Sequence, residues 1–231
     1  MLPIFKTKKI AVAAGKGGVG KSTCAICLAL ALQRASSCAL FDGDLYGPSI
    51  GKMLQMDTLP YENEGGIFPG KAGGLKVMSL SFFDQPNFVV RAPIANRVLD
   101  QFFSKISWGD LDFMVIDFPP GTGDIPITLA KGIDAAILVT TPQEVALFDV
   151  ARCFRFFQKL GVPILGVIEN MTGEFFGKGA GRRFAFQAGV DFLGEIPMNA
   201  TISQKMDRGE AAQLTIPLFE EIANRVKLSV K

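Results

Sequence analysis

Histidine does not occur anywhere in this chain of 231 residues, so no imidazole can serve as a general base or a metal ligand. Tryptophan occurs once and tyrosine twice, against 20 phenylalanines. Aromatics of that kind fill cores rather than offer stacking platforms for nucleic-acid bases. Cysteine is scarce: Cys24, Cys27, Cys38 and Cys153 are all there are, too few for a disulfide framework in a chain this long. Long apolar runs are missing too. The longest near the first glycine cluster, Cys24 to Leu32, is too short to span a bilayer. The small apolar patch at the start precedes Lys6, Lys8 and Lys9, the reverse of a signal peptide, so a cytoplasmic location is expected. A net charge of +2 with no lysine- or arginine-rich stripe predicts neither a nucleic-acid nor a membrane partner.

Glycine and small apolar residues, by contrast, are concentrated where they carry chemistry. The run Ile10 to Ala14 leads into Gly15-Lys16-Gly17-Gly18-Val19-Gly20-Lys21-Ser22-Thr23 and then an Ala/Leu-rich stretch to Arg34. The pattern is G-x-x-x-x-G-K-[ST] between a strand-like and a helix-like segment, the context a phosphate-binding loop requires. Glycines let successive backbone N–H groups point inward, and the following helix adds its positive end. Lys21 supplies a point charge for the β- and γ-phosphates, and the Ser22 hydroxyl can ligate Mg²⁺. The expected ligand is a nucleoside triphosphate.

Further along, short apolar strands end on polar residues. Cys38 to Phe41 runs into Asp42-Gly43-Asp44, Asp112 to Asp117 into Pro119-Pro120-Gly121-Thr122-Gly123, and Val162 to Ile168 into Glu169-Asn170-Met171. Acidic residues just past a strand's carboxyl end sit where ligands bind in open α/β sheets. Asp117 fits a Mg²⁺ carboxylate, direct or through water, and Asp42 can support the same shell. Asp44 is the candidate to orient the attacking water, which needs an acceptor rather than a tuned base. Gly121 can bring a backbone N–H to the γ-phosphate. The Asn170 amide offers one acceptor and two donors, matching the N6/N7 edge of adenine. Without an N-K-x-D stretch for guanine, ATP is expected over GTP.

Other elements follow the same alternation. Residues 55–75 read as a surface excursion with a small hairpin, Leu75–Phe83 as a strand and Ala92–Ile106 as a helix. Ala135–Thr140 is a further strand, and Thr141-Pro142-Gln143-Glu144 has the form of a capping box opening a helix to about Leu160. Leu218, Ile222 and Val226 share one face of a C-terminal helix. The sum is a doubly wound, mostly parallel α/β sheet of the P-loop NTPase type, one domain over 1–231, with no internal repeat or linker; 48% hydrophobic content suffices for its core.

Taken together, GKGGVGKST (15–23), DGDLYGPS (42–49), LKVMSLSF (75–82), RAPI (91–94), WGDLDFMVIDFPPGTGD (108–124), VTTPQEVALFDV (139–150), VPILGVIENM (162–171), FLGEIPMN (192–199) and DRGE (207–210) resemble the Mrp/ApbC family. These are deviant-loop P-loop ATPases, related to MinD and ParA, that carry iron–sulfur clusters to apoproteins. The resemblance implies a homodimer that converts ATP to ADP and phosphate, slowly without a partner. It implies iron–sulfur apoprotein clients or assembly proteins as partners. It makes Lys16 a lysine delivered across the dimer to the partner's phosphates, puts Asn170 on adenine and sets Pro197 beside the base. It also implies a [4Fe–4S] cluster bridging two chains through a C-x-x-C pair shortly after E-N-M.

Here the sequence departs from the family. After Met171 it reads Thr172-Gly173-Glu174-Phe175-Phe176-Gly177, and no cysteine follows Cys153. Cys24 and Cys27 have C-x-x-C spacing but lie on the helix after the phosphate loop, where core packing is the expectation. Ala92 replaces the family's glycine in R-G-P. Two other readings remain open, an ATP-switched dimeric adaptor without a cluster and a MinD/ParA-like positioning ATPase.

Overall fold

The computed structural model describes residues 7–44, 47–82 and 105–230. β1 (Lys8–Ala14), an uninterrupted apolar run, is followed by α1 (Lys21–Gln33) and β2 (Cys38–Asp42). A short α2 (Ile50–Met53), the hairpin β3 (Tyr61–Asn63) and β4 (Gly66–Phe68), then β5 (Gly70–Ala72) and β6 (Leu75–Met78) make up the excursion. After it come β7 (Phe113–Asp117), α3 (Asp124–Ala130), β8 (Ala135–Thr140) and α4 (Glu144–Lys159). The chain closes through β9 (Ile164–Thr172), α5 (Ala180–Ala188), β10 (Phe192–Pro197), α6 (Ala200–Asp207) and α7 (Pro217–Ser229).

Eight strands form one sheet in the order β10-β9-β8-β1-β7-β2-β6-β5, and β3 and β4 form a separate pair. Every pairing in the large sheet is parallel except β5 with β6. Strands β1, β2, β7 and β8 are buried along almost their whole length, as strands covered on both faces must be. One apolar cluster lies on each face of the sheet. The first joins α1 and α7 to it, and the second joins α3, α4 and α5. Because α7 covers the outer side of α1, α1 is buried nearly all round and carries no polar stripe.

The structure redraws several expected boundaries. The strand beginning at Leu75 stops at Met78 and passes into a 3₁₀ turn over Leu80–Phe82. Residues 92–104 of the expected helix lie outside the described residues, as do the RAPI segment and Leu45-Tyr46. Thr141 does not cap α4: Gln143 occupies the N-cap with no side-chain bond, and the buried Thr141 Oγ1 has no partner. In α7 the buried stripe is Phe219, Ile222, Ala223 and Val226, with Leu218 only half-buried. Among the described residues no helix is long and apolar enough to cross a membrane.

Candidate nucleotide site

Parallel register brings the functional strand ends to one edge. Val12 pairs with Asp117 and Asp42 pairs with Asp117, so the loop after β1 and the two carboxylates share one level of the sheet. The backbone is locked there by Phe118 N–H on the Val12 carbonyl and Gly43 N–H on the Asp117 carbonyl, at 2.9 and 3.0 Å.

Between β1 and α1 the chain turns through Gly18 and Gly20, both at φ 81°, a left-handed conformation that glycine adopts at no steric cost. Gly20 is also the N-cap of α1, so the loop wraps the helix's positive end. Gly15 is fixed by a close approach instead: a Cβ there would lie 1.9 Å from the Asp149 carbonyl oxygen of α4. Backbone cannot step aside as a flexible side-chain tip can. Gly15→Ala is therefore expected to force β1 and α4 apart, lower the thermal midpoint and weaken ATP binding at least tenfold in a titration. Gly17 and Gly18 face solvent, and Lys16 is half-buried with no ion pair among the described residues.

Lys21 is buried and its Nζ stands 2.5 Å from Asp117 Oδ1. Asp117 is 0% exposed, and its second oxygen, Oδ2, is buried without a hydrogen-bond partner among the described residues. Burial pushes the Asp117 carboxyl above the usual carboxylate range, with the Lys21 charge pulling it back. A buried carboxylate oxygen left without a donor costs free energy unless a cation or donor meets it. An acceptor of this kind beside the Ser22–Thr23 turn is a donor set suited to Mg²⁺, a hard cation that takes one or two carboxylates plus phosphate oxygens.

Asp42 is engaged differently. Its Oδ2 accepts from Ser49 N–H, Ile50 N–H and Ser79 Oγ at 3.1, 3.2 and 2.8 Å, and its Oδ1 accepts from Asp44 N–H at 3.2 Å. The carboxylate thus pins both ends of the 43–50 loop to the sheet, leaving Oδ1 as the less occupied oxygen. Burial, then the neighbouring Asp117, pushes its carboxyl from 3.8 up to about 7, against the pull of the Ser79 hydroxyl and the backbone donors. The folded protein consequently keeps a proton that the unfolded chain, with an aspartate near ~3.9, has released. Stability from this group falls as pH rises from about 4 and levels off above about 7, by a total of ~4 kcal/mol. Urea midpoints measured across that range are expected to show the slope in the native protein and a flatter one in Asp42→Asn. Asp44 is half-exposed at the mouth of the site, with Oδ1 accepting from Gly47 N–H at 3.2 Å.

Asn170 is brought to the loop by a strand longer than expected. β9 runs on to Thr172 because β10 pairs with it as far as Pro197 opposite Thr172. The Asn170 Nδ2 donates to the Val19 carbonyl at 2.9 Å, and a Cβ on Gly20 would meet that nitrogen at 2.1 Å. One amide donor is therefore spent on the loop, leaving one hydrogen and Oδ1. The adjoining Met171 is the one described non-glycine residue with positive φ, at 61°. Gly121, at φ 95°, lies exposed in the turn before α3, and Pro197 is exposed at the end of β10.

Sequence reasoning passed over Glu169. It is fully buried, and its two carboxylate oxygens accept from Gly179 and Gly181 N–H at 2.7 Å each, capping α5 from a neighbouring strand. The signal was a charged residue inside an apolar strand, followed ten residues on by Gly-Ala-Gly.

All four cysteines are buried and free. Burial pushes Cys27, Cys38 and Cys153 up to about 12 and raises Cys24 strongly, so none is held as a thiolate. Cys24 and Cys27 face the apolar cluster shared by α1 and α7. Where relatives of the resembled family would place cysteines, Gly173 and Gly177 close a tight turn by reciprocal backbone bonds and lift Phe175 out, 94% exposed. Among the described residues no three or more His, Cys, Asp or Glu side chains are grouped so as to hold a metal ion.

Comparison with known proteins identifies relatives in sequence and in fold. An "Iron-sulfur cluster carrier protein" of Pseudomonas fragi is 39% identical, the match covering 93% of this chain and 83% of the relative. One of the same name from Aquifex aeolicus is 40% identical over 93% of this chain, which spans 66% of that relative's length. Among solved structures, a nucleotide-binding protein of Archaeoglobus fulgidus in complex with ADP superposes with a TM-score of 0.78 at 28% identity, covering 92% of this chain and 90% of that one. The cell division ATPase MinD of Pyrococcus furiosus shares the fold, with a TM-score of 0.72 at 22% identity over 96% of this chain and 99% of its own. The family described as ParA, NUBPL iron-transfer P-loop NTPase, matches residues 6–227, and the chain belongs to it.

Proposed function

We propose that this chain is a Mg²⁺-dependent ATPase that works as a nucleotide-gated homodimer in iron–sulfur cluster carriage or assembly. In this role it supplies the ATP cycle and a client surface, without cysteine ligands of its own. The observation that carries the reading is the buried Lys21–Asp117 pair at the mouth of the glycine loop, with the second Asp117 oxygen free of donors. Incoming phosphates give Lys21 a second anion to neutralise. Asp117 and Ser22, with Asp42 in support, would hold Mg²⁺, which supplies charge neutralisation on the phosphates. The loop N–H groups cradle the phosphate oxygens, Gly121 senses the γ-phosphate through its turn, and Asp44 orients the attacking water. The remaining Asn170 donor and Oδ1, with Pro197 nearby, receive adenine. Lys16 acts on the phosphates of a second copy.

The four buried cysteines favour the clusterless form of this role over relocated ligands at Cys24 and Cys27. Two measurements on one preparation test the reading: phosphate release with and without Mg²⁺, and bound iron per chain after anaerobic reconstitution with iron and sulfide. The expected result is Mg²⁺-dependent turnover with background iron. Stable iron that disappears in Cys24→Ser/Cys27→Ser would overturn the clusterless role, and absent turnover with a bona fide client present would overturn the enzyme.

A further inference from the structure

Away from the glycine loop, residues of α3 and α4 line an open groove of about 530 Å³. Its rim carries Arg152, Arg155 and Lys159, which recur along one side of α4, and among the described residues no carboxylate lines it. All three are exposed, and none is in an ion pair among the described residues. Arg155 is oriented by its own Nε–H donating to the Ala151 carbonyl at 3.2 Å. The floor is apolar, from Phe156, Ile127 and Leu160, and the last two are exposed, at 37% and 41%. The groove thus sets three positive charges around an apolar floor.

We infer that this groove is a docking site for an acidic, amphipathic segment of a partner protein, its carboxylates on the three cations and its apolar side chains on Ile127 and Leu160. Charge complementarity selects the occupant: arginine forks bind carboxylates in fixed geometry, and the two arginines lie about one helical turn apart. A helix seated in the groove would present i, i+3 and i+4 contacts of both kinds. The groove also touches Thr122, in the turn that carries Gly121 into α3. Movement of that turn shifts Thr122 and Ile127 against α4, so occupancy and nucleotide state are coupled in both directions. Docking itself stands apart from the proposed ATPase role; only the coupling rests on it.

The probe is a fluorescein-labelled peptide of glutamates with leucines at helical spacing, compared with its lysine counterpart and a scrambled order. Without nucleotide, anisotropy is expected to show saturable binding of the acidic peptide that weakens as salt rises. Arg152→Glu/Arg155→Glu/Lys159→Glu should lose at least tenfold in affinity, and Leu160→Gln about threefold, while basal ATP turnover is unchanged. Arg225→Glu/Lys227→Glu on α7, equal in kind but outside the groove, should bind as the parent does. Undiminished affinity in the triple variant, or equal binding of the lysine or scrambled peptide, would overturn the site. So would a self-association in sedimentation that the triple variant abolishes without any peptide binding, which would give the groove to a second copy. A difference in peptide affinity between ADP and a non-hydrolysable ATP analogue is the expected coupling; equal affinities with intact binding would remove the coupling and leave the docking site.

Discussion

Lys21→Ala is expected to eliminate measurable ATP binding and, at neutral pH, to destabilise the fold even without nucleotide. The first effect is the loss of the one buried cation at the centre of the glycine loop. The second follows from what is left behind. Asp117 is 0% exposed and already has one oxygen without a donor among the described residues, so removing Lys21 strips the one counter-charge they pair with it. Breaking a buried pair from one side costs about 3–5 kcal/mol, or drives the survivor to take up a proton. Burial already raises the Asp117 carboxyl and Lys21 is the largest force lowering it, so the variant raises it further. An aspartate whose folded value lies above its unfolded one keeps its proton on folding. Its penalty is absent below about pH 4 and grows as pH rises through the interval. The stability gap between variant and parent should therefore be small in acid and widen toward pH 8 in urea titrations. Lys21→Met/Asp117→Leu, which removes both charges, should recover the stability but not the binding. Retained tight ATP affinity in Lys21→Ala would overturn the site, and a pH-independent gap would overturn the electrostatic account of it.

The same pair shows where sequence stops being legible. The strand–glycine–helix order around Gly15 to Thr23 states its structure locally, because left-handed glycines and a helix N-terminus need only neighbouring residues. The alternation of short apolar runs with helical segments is likewise local, and it led to the parallel sheet with its carboxylates on one edge. Lys21 and Asp117 are 96 residues apart, and only strand register decides that their side chains meet. Gly15 reads as a loop glycine from its neighbours alone, yet what forbids a side chain there is the backbone of Asp149. Asp42 reads by position as support for a metal shell. Four donors from loop 44–50 and Ser79 make it the anchor of that loop, and no spacing rule announces Ser79. Thr141-Pro142-Gln143-Glu144 misled for the converse reason: its local signal was present, but the helix begins only at Glu144, with Gln143 as N-cap and Thr141 buried.

Lys16→Ala is expected to leave ATP affinity within about threefold of the parent while lowering turnover by ~10³, the scale of a cation supplied to a phosphoryl-transfer transition state. Among the described residues no ion pair engages the Lys16 ammonium. The residue is half-buried beside the solvent-facing Gly17 and Gly18, and no carboxylate pairs with it among the described residues. Its own phosphate cradle already has Lys21 inside, which is why ground-state binding should survive its loss. Rate loss alone does not distinguish a lysine acting on its own nucleotide from one acting across a dimer; mixing does. A Lys16→Ala chain keeps a complete cradle but offers its partner nothing, whereas a Lys21→Ala chain binds no nucleotide but still presents Lys16. Neither should turn over alone. If the lysine acts in trans, mixed dimers contain one filled cradle facing one intact Lys16, and phosphate release should reappear in proportion to the mixed species seen by native mass spectrometry. If it acts in cis, the filled cradle lacks its own lysine in every combination and the mixture stays inactive. An unchanged rate in Lys16→Ala by itself would remove the residue from the reaction altogether.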